Sequence, residues 1–302
     1  MRARGHVPVT GFRHIPCRND RRGEGAFNTG FEMLTAKLQT LEVRLRELGQ
    51  VAVAVSGGVD SMTLAVVAQR TLGPASAMFH AVSPAVPPEA TDRVRRYAAR
   101  EGWRLHLLDA GELADHAYRS NPVDRCFYCK TNLYQAIARQ TEATVISGAN
   151  LDDLQDYRPG LQAASEHGVR HPLVEAGIDK ATVRAIAHHL GLTELAELPA
   201  SPCLSSRIET GLTIQPDILT LIHRVERYLT QQLQPRTVRC RFRRHGIVIE
   251  LDRESFTALT VRNKRRLGAE VETLCRQAGF ELPLGFELYR SGSAFLHGGA
   301  DA

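Results

Sequence analysis

Residues 51–61 read VAVAVSGGVDS and combine residue types that are suited to binding phosphate. An apolar run ends in Ser-Gly-Gly, and an Asp-Ser pair then opens a stretch with helical character. Adjacent glycines leave backbone N–H groups free, and next to the positive end of a helix such groups bind phosphate oxygens. The segment therefore predicts a strand, a tight turn and a helix N-terminus that together hold the phosphates of a nucleotide.

Two common phosphate-binding patterns do not describe this turn. The G-x-x-x-x-G-K-[ST] pattern needs a lysine after its last glycine, and none follows Gly58. The G-x-G-x-x-G pattern needs three glycines, whereas the turn has only Gly57 and Gly58. An ordinary strand-to-helix turn also uses glycine and serine. The apolar strand before the turn and the predicted helix Ser61–Thr71 after it favour the phosphate interpretation.

Three cysteines form a second set of residues with chemical potential. Cys126 and Cys129 make a C-x-x-C pair, and Cys203 lies far along the chain in the segment SPCLSSR. The pair does not follow a first strand as in thioredoxin-like proteins, and no fourth zinc ligand is evident. Three thiolates without a fourth ligand suit a [4Fe–4S] cluster with one open iron, which could hold a sulfide. Three buried cysteines without any ligand are the alternative.

Arginines accompany both cysteine segments. Arg125 precedes Cys126, and Arg207 follows Cys203 by four positions. A nearby positive charge lowers the pKa of a thiol, so the pattern predicts reactive thiolates carried by two loops. Arg207 is further predicted to stabilise the thiolate or an acyl phosphate.

An amide and two carboxylates follow the predicted strand Thr144–Ser147. They are Asn150, Asp152 and Asp153. Because the carboxyl ends of parallel strands share one sheet edge, these side chains are expected near the phosphate turn. They are predicted either to contact a nucleotide or Mg²⁺, or to cap the next helix.

Alternating strands and helices must position these groups. The strands are predicted at Val51–Val55, Ala77–Val82, Trp103–Leu108 and Thr144–Ser147. Helices are predicted at Ser61–Thr71, Pro88–Arg100, Thr131–Arg139 and Asp179–Leu190. This alternation predicts an α/β fold with a doubly wound parallel sheet, which binds ligands at the carboxyl ends of its strands.

The pattern changes after about residue 209. A helix is predicted at Pro216–Leu233, a hairpin at Thr237–Arg243 and Gly246–Leu251, a largely helical stretch at Glu254–Gly279 and a short strand at Phe286–Tyr289. We therefore predict three parts: a disordered basic extension (1–33), an α/β nucleotide domain (34–208) and a smaller α+β domain (209–302).

Composition limits the classes of partner. Residues 1–33 hold six arginines against three acidic residues, a formal charge of +3, which leaves +2 of the total +5 for the rest. A nearly neutral body is not expected to bind nucleic acid. No apolar run is long enough to suggest a membrane span, and no secretory signal is evident, so a cytoplasmic location is expected.

Four segments in order carry a family resemblance: SGGVDS, RCFYCK, GANLDD with DYRPG, and SPCLSSRI. Over about residues 34–290 the chain resembles the LarE family, within the PP-loop ATP pyrophosphatases. Those proteins are ATP-dependent sulfur transferases that adenylylate a carboxylate of pyridinium-3,5-biscarboxylic acid mononucleotide and convert it to a thiocarboxylate. Their product leads to the nickel-pincer cofactor of lactate racemase.

The resemblance implies roles for individual residues. Pyrophosphate would be held by Ser56, Gly57, Gly58 and Ser61, with Asp60 near the Mg²⁺ that accompanies ATP. Asn150 and Asp153 would contact the nucleotide or its metal. Arg241 and Arg243 would bind the substrate phosphate, and strand alternation places both on one face. A solvated strand face is the alternative for these arginines.

The family also implies two sources of sulfur. In one variant, a cysteine matched by Cys203 gives up its own sulfur and becomes dehydroalanine. In the other, three cysteines hold a [4Fe–4S] cluster that carries an extra sulfide. The presence of Cys126 and Cys129 beside Cys203 favours the cluster variant. The resemblance further implies a homo-oligomer.

Three other functions are compatible with parts of the pattern. A PP-loop tRNA thiolase would use the same cluster, but it would need a basic face. An ammonia-using PP-loop amide synthetase would need neither a C-x-x-C pair nor sulfur. A non-enzymatic zinc module that binds ATP would contain zinc without iron or labile sulfide.

Overall fold

The computed structural model describes residues 22–155 and 158–294. One sheet contains β1 (Val51–Ala54), β2 (Ser76–Ala81), β3 (Leu105–Leu108) and β4 (Thr144–Ser147). A second sheet contains β5 (Val238–Arg243), β6 (Gly246–Leu251) and β7 (Leu284–Leu288). The helices are α1 (Arg22–Leu48), α2 (Val59–Leu72), α3 (Pro88–Glu101), α4 (His116–Arg119), α5 (Arg125–Ala138), α6 (Pro159–Glu166), α7 (Pro172–Glu175), α8 (Lys180–His189), α9 (Thr193–Ala196), α10 (Pro216–Leu233), α11 (Arg253–Ala258) and α12 (Val261–Gln277). Short 3-10 turns lie at Gly73–Ala75, Leu151–Leu154 and Leu204–Arg207.

The first sheet is parallel, with the strand order β3-β2-β1-β4. Strand β1 is buried along its whole length because helices cover both faces of the sheet. Its valines Val51 and Val53 pack in one hydrophobic core, and its alanines Ala52 and Ala54 pack in another. The chain crosses to opposite sides of β1, which is the topological switch point of a doubly wound sheet. The predicted fold class is confirmed.

The second sheet belongs to a smaller α+β unit. Strands β5 and β6 form the predicted antiparallel hairpin, and β7 lies parallel to β6. Helix α10 packs its apolar face into this unit's core, and α12 covers the same core. Leu204 and Ile208 also belong to this core. The segment that follows Cys203 therefore packs with the second unit.

Two predicted boundaries are corrected by the structure. Helix α1 begins at Arg22, inside the segment 1–33 that was predicted to be disordered, while residues 1–21 lie outside the described part of the chain. Helix α5 begins at Arg125 rather than Thr131. Because Asp124 occupies the N-cap position, the C-x-x-C pair lies on the first turns of a helix and not in a loop. None of the described helices is both long and apolar enough to cross a membrane.

Candidate active site

A cavity of about 760 Å³ lies where the two units meet. The phosphate turn, α3 and α5 of the first unit line it together with α10 and β5 of the second. Residues predicted from the sequence that line it are Ser56, Gly57, Gly58, Cys129, Cys203 and Arg207. Residues predicted for the site that lie outside its lining are Asp60, Ser61, Cys126, Asn150, Asp153, Arg241 and Arg243. The phosphate turn and two of the three predicted thiols thus face the same space.

The phosphate turn is held by its own serines. The hydroxyls of Ser56 and Ser61 lie 3.0 Å apart, and the Ser61 Oγ also accepts a hydrogen bond of 3.0 Å from the Ser56 N–H. The Ser56 Oγ in turn accepts from the Gly58 N–H at 3.3 Å. Helix α2 then begins at Val59, and its N-cap residue Gly58 provides no side-chain cap. This arrangement keeps the turn open at the positive end of the helix, where an anion is favoured.

Two close backbone approaches require glycine around the turn. Gly57 has a φ of +82°, and a Cβ there would lie 2.9 Å from the Ala90 carbonyl oxygen of α3. Gly148 follows β4, and a Cβ at that position would lie 2.6 Å from the Ser61 backbone nitrogen. Because both neighbours are backbone atoms, neither contact can be relieved by a side-chain rotation. Helix α3 and the end of β4 therefore clamp the turn from two sides.

Asp60 is engaged by protein groups and does not line the cavity. Its carboxylate forms an ion pair with Lys180 and accepts a hydrogen bond of 3.2 Å from the Asn150 amide. Asn150 also forms a capping box with Asp153 at the 3-10 turn Leu151–Leu154. The capping interpretation of Asn150 and Asp153 is therefore confirmed. Lys180 was not singled out in the sequence, because its partner Asp60 is distant along the chain.

The DYRPG segment is only partly described. Arg158 forms an ion pair of 2.8 Å with Asp153, which ties the segment to the capping box. Asp156 and Tyr157 lie outside the described residues.

The three thiols lie in one neighbourhood. Cys126 and Cys129 are three residues apart on α5, so both lie on the same side of its first turns. Burial raises the pKa of Cys129 to about 12, and the charge of Cys203 contributes to the same increase. The pKa of Cys126 is also raised, first by desolvation within the protein, although part of its surface is exposed, and then by Cys203. The prediction that Arg125 would leave low-pKa thiolates is wrong here, because desolvation outweighs the attraction of the cation.

The spacing of these thiols bears on the kind of metal group they can hold. Among the described residues, no group of three or more His, Cys, Asp or Glu side chains is spaced to hold a metal ion. A single zinc ion needs all its ligands in one tetrahedral shell. A [4Fe–4S] cluster instead distributes its cysteine ligands over several irons. The described residues therefore do not form a preassembled site for a metal ion, and a cluster held by the three cysteines stays a prediction.

Arg207 supports the cysteine segment from within. Its side chain is only 2% exposed and forms two 3.0 Å hydrogen bonds to the carboxylate of Glu226 on α10. Its Nη1 donates to the carbonyl oxygens of Pro202 at 2.6 Å and Cys203 at 3.0 Å. The guanidinium thus fixes the backbone on both sides of the Cys203 N–H. These contacts give Arg207 a positioning role for Cys203, and direct stabilisation of the thiolate or of an acyl phosphate by Arg207 stays a prediction.

The arginines of β5 are distributed differently from the prediction. Arg241 is 4% exposed and bonded to Glu250 at 2.8 Å, and Arg243 contacts the same carboxylate at 2.8 Å. Neither arginine lines the cavity, so a shared phosphate clamp does not fit this arrangement. Arg239, two positions earlier, is the arginine of β5 that lines the cavity. The alternation of arginines along β5 could have pointed to Arg239, but Arg241 and Arg243 were predicted instead.

Several further residues at the cavity were missed in the sequence. His80 on β2 lies close to the residue that precedes the phosphate turn: its Nδ1 is 2.8 Å from the Val55 carbonyl oxygen, and its Nε2 is 2.9 Å from the Thr91 hydroxyl. Arg93 of α3 donates to the Gly57 carbonyl oxygen at 2.8 Å. Tyr118 lies 2.6 Å from the Ser205 hydroxyl. None of these belongs to a recognisable motif, so only the fold could bring them to the site.

Fold and site together define a class of protein: an α/β nucleotide-type fold consistent with the PP-loop family, with thiols facing the same cavity as the phosphate turn. No family model matches the chain. The chain is 38% identical over 264 residues (86% of this chain and 97% of the relative) to an uncharacterized protein of Synechocystis sp.. It is 34% identical over 237 residues (77% of this chain and 85% of the relative) to the pyridinium-3,5-bisthiocarboxylic acid mononucleotide synthase of Lactiplantibacillus plantarum.

A third relative, an uncharacterized protein of Methanocaldococcus jannaschii, is 24% identical over 207 residues, which are 67% of this chain and 78% of the relative. The extent and identity of the Lactiplantibacillus match show the family. The chain belongs to the LarE family, and it is therefore an enzyme.

Proposed function

We propose that this enzyme is an ATP-dependent sulfur transferase that converts a carboxylate of pyridinium-3,5-biscarboxylic acid mononucleotide to a thiocarboxylate, in nickel-pincer cofactor biosynthesis. The observation that carries the proposal is the shared cavity: Ser56, Gly57 and Gly58 line it together with Cys129 and Cys203. Such a reaction needs ATP to activate the carboxylate and a sulfur-bearing group to attack it, and both must reach the same cavity. The name of the Lactiplantibacillus relative, a pyridinium-3,5-bisthiocarboxylic acid mononucleotide synthase, supports the choice of substrate.

The phosphate turn supplies the activation step of the proposal. A substrate carboxylate oxygen attacks the α-phosphorus of ATP, a new P–O bond forms, and pyrophosphate leaves with the electrons of the broken bond. The open turn and the positive end of α2 stabilise the negative charge on the departing pyrophosphate. Mg²⁺ enters with ATP as part of the substrate, while the Asp60 carboxylate is already engaged by Lys180 and Asn150.

The cysteine segment supplies the second step. An acyl adenylate has a good leaving group, so a sulfur nucleophile can attack its carbonyl carbon. A C–S bond forms, the C–O bond to AMP breaks, and AMP leaves as the anion. Arg207 and Glu226 hold the backbone beside Cys203 and thereby orient this side chain toward the cavity.

The sulfur source in the proposal is a [4Fe–4S] cluster held by Cys126, Cys129 and Cys203. When bound, the cluster would supply a sulfide from its open iron. The chain's own contribution is a donor set of three neighbouring thiols, with Lys130 directly beside Cys129 in the cavity wall. Cys203 is central whether it ligates a cluster or gives up its own sulfur.

Arg239 is the proposed ligand of an anionic group of the substrate. Arg239 lines the same cavity as the phosphate turn, and its guanidinium is 5.8 Å from the centre of the Tyr289 ring. A mononucleotide with two carboxylates carries several anionic groups, so a cation in the wall of this cavity would help to orient it.

The proposal is tested with protein purified without oxygen. The protein is incubated with ATP, Mg²⁺ and the pyridinium dicarboxylate mononucleotide, and AMP, pyrophosphate and product mass are measured. We expect AMP formation that depends on the mononucleotide and a product in which sulfur replaces oxygen. Absence of both would overturn the proposed function.

The same preparation separates the two sulfur sources. Iron, labile sulfide and a visible iron–sulfur absorbance band, with an unchanged protein mass after turnover, support the cluster. A loss of H₂S from Cys203 in the intact mass, in protein without iron, supports the sacrificial route instead. Zinc without iron or sulfide, and without turnover, would favour a structural metal module.

A further inference from the structure

Helix α3 places a cation beside the phosphate turn. Arg93 is half-buried and lines the cavity, and its Nη1 donates to the Gly57 carbonyl oxygen at 2.8 Å. One turn earlier on the same helix, Ala90 touches the position where a Gly57 Cβ would lie. The helix that buttresses the turn thus also carries this guanidinium to it.

The charge of Arg93 is not neutralised by a contact. Within the described part of the chain it forms no ion pair, whereas Arg96 on the same helix is 2.8 Å from Glu194. The Nε of Arg93 is buried and has no hydrogen-bond partner there. Glu194 and Glu89 act on Arg93 only through longer-range electrostatics. A buried donor without a partner costs free energy. A bound anion would give this N–H a partner and remove that cost.

The phosphate turn itself lacks a cation. It offers only backbone N–H groups and the hydroxyls of Ser56 and Ser61. The nearby Lys180 is paired with Asp60 and does not line the cavity. In the G-x-x-x-x-G-K-[ST] type of loop, a lysine of the loop itself reaches the phosphates. Here a corresponding charge must come from outside the turn, and α3 supplies one.

We propose that Arg93 is a ligand of the pyrophosphate portion of ATP, on which it stabilises the negative charge that develops as pyrophosphate leaves. The guanidinium keeps one N–H on the Gly57 carbonyl oxygen and presents the others to the phosphate oxygens in its planar fork. This assignment rests on the proposed function, because it requires that the turn binds ATP.

The test uses binding of two probes, magnesium pyrophosphate and AMP, by isothermal titration to the full chain. Arg93→Gln removes the charge but keeps a polar N–H donor. We expect it to weaken pyrophosphate binding by roughly 10- to 100-fold, the loss typical of a charged hydrogen bond. AMP binding should be unchanged, and ATP-dependent AMP formation should fall about 100-fold or more.

Two variants complete the design. Arg93→Lys keeps the charge and should retain more pyrophosphate affinity than Arg93→Gln, which also covers the case in which Arg93→Gln does not fold. Arg96→Gln, on the same helix but outside the cavity lining, is the matched control and should bind both probes like the wild type.

The outcomes distinguish this inference from the proposed function. Wild-type protein that binds neither probe and forms no AMP from ATP would overturn the proposed function and this assignment with it. If wild-type protein binds both probes but Arg93→Gln binds pyrophosphate equally well, only the assignment of Arg93 fails. Equal losses of pyrophosphate and AMP affinity would also overturn it, because the substitution would then disturb the site as a whole and not a contact to pyrophosphate.

Discussion

The two ends of the cavity are built in different ways. At one end, the phosphate turn is a single continuous segment whose serines bond to each other, whose Gly57 packs against α3 and whose Ser61 packs against Gly148 after β4. At the other end, the thiols come from α5 and from a segment far along the chain, and Cys203 is positioned by Arg207 and Glu226. The nucleotide end is therefore a local structure supported by its surroundings, whereas the sulfur end exists only when the two units are packed together.

The largest expected effect concerns the sulfur end alone. Cys203→Ala should lower thiocarboxylate formation by roughly 1000-fold or more, because it removes the reacting or ligating sulfur. Magnesium pyrophosphate binding should remain, since Cys203 is not part of the phosphate turn. Product mass and titration calorimetry measure the two ends separately. Cys275→Ala, which changes a buried cysteine outside the cavity lining, is the control. Full sulfur transfer by Cys203→Ala would refute the proposed assignment.

A glycine substitution should damage the nucleotide end. Gly148→Ala places a Cβ 2.6 Å from the Ser61 backbone nitrogen, so the turn must shift. A misplacement of about 1 Å can cost about 100-fold in rate, and we expect a loss of that size in ATP-dependent AMP formation.

The matched control for this substitution is Gly285→Ala in β7, where a Cβ meets no atom within 4 Å and φ is not positive. It should leave AMP formation near the wild-type rate. Equal rates for Gly148→Ala and wild type would show that the turn does not depend on close packing against β4.

Loss of the buried ion pair should destabilise the sulfur end. Arg207→Met leaves the Glu226 carboxylate without its main cation, and such a loss typically costs about 3–5 kcal/mol of unfolding free energy. Urea unfolding provides the measurement. Arg244→Met removes an exposed arginine that is 3.8 Å from Glu209 and should cost less than about 1 kcal/mol. Similar costs for the two variants would mean that Arg207 does not hold the cysteine segment.

The smallest expected effect is a pH dependence at the nucleotide end. Burial lowers the pKa of His80 below its usual value of 6.5, although its hydrogen bond to Val55 opposes the change. Below pH 6.5 the unfolded chain therefore binds more protons at this histidine than the folded chain does. The free energy of unfolding falls in that range by up to about 1.4 kcal/mol per pH unit.

Replacement of His80 should reduce this dependence. The unfolding free energy of His80→Gln, measured by urea titration between neutral and mildly acidic pH, should change less with pH than that of the wild type. The pKa of His171 is also lowered, so part of the slope should persist. His245→Gln, at an exposed turn between β5 and β6, is the control. An unchanged slope in His80→Gln would contradict the prediction.

The elements that follow a single periodicity were predictable. Strand β4 and helix α10 have the predicted limits, and the hairpin of β5 and β6 lies where its alternation placed it. The start of α5 was missed because Cys126 and Phe127 do not show helical periodicity by themselves. The phosphate turn was predictable for the same reason as the hairpin: its residues are consecutive, and local backbone preference largely defines their conformation.

Side-chain partners across the chain were not predictable in this way. Arg241 and Arg243 occupy the predicted strand, but Glu250 on the neighbouring strand engages both guanidinium groups. Arg93 and His80 reach the phosphate turn from other elements and belong to no motif. Each of these pairings depends on register and packing, which a linear pattern does not contain.

The sequence by itself determined the doubly wound sheet, the phosphate turn at the end of β1 and the set of cysteines, because periodicity, glycine position and residue type are properties of short segments. The tertiary structure decided which charges are free to act. It paired Asp60 with Lys180, it placed Arg207 on Glu226, and it left Arg93 at the cavity without an ion pair among the described residues. The physical reason is that charge compensation and desolvation depend on distances through space, and these are set only when the two units pack around the cavity.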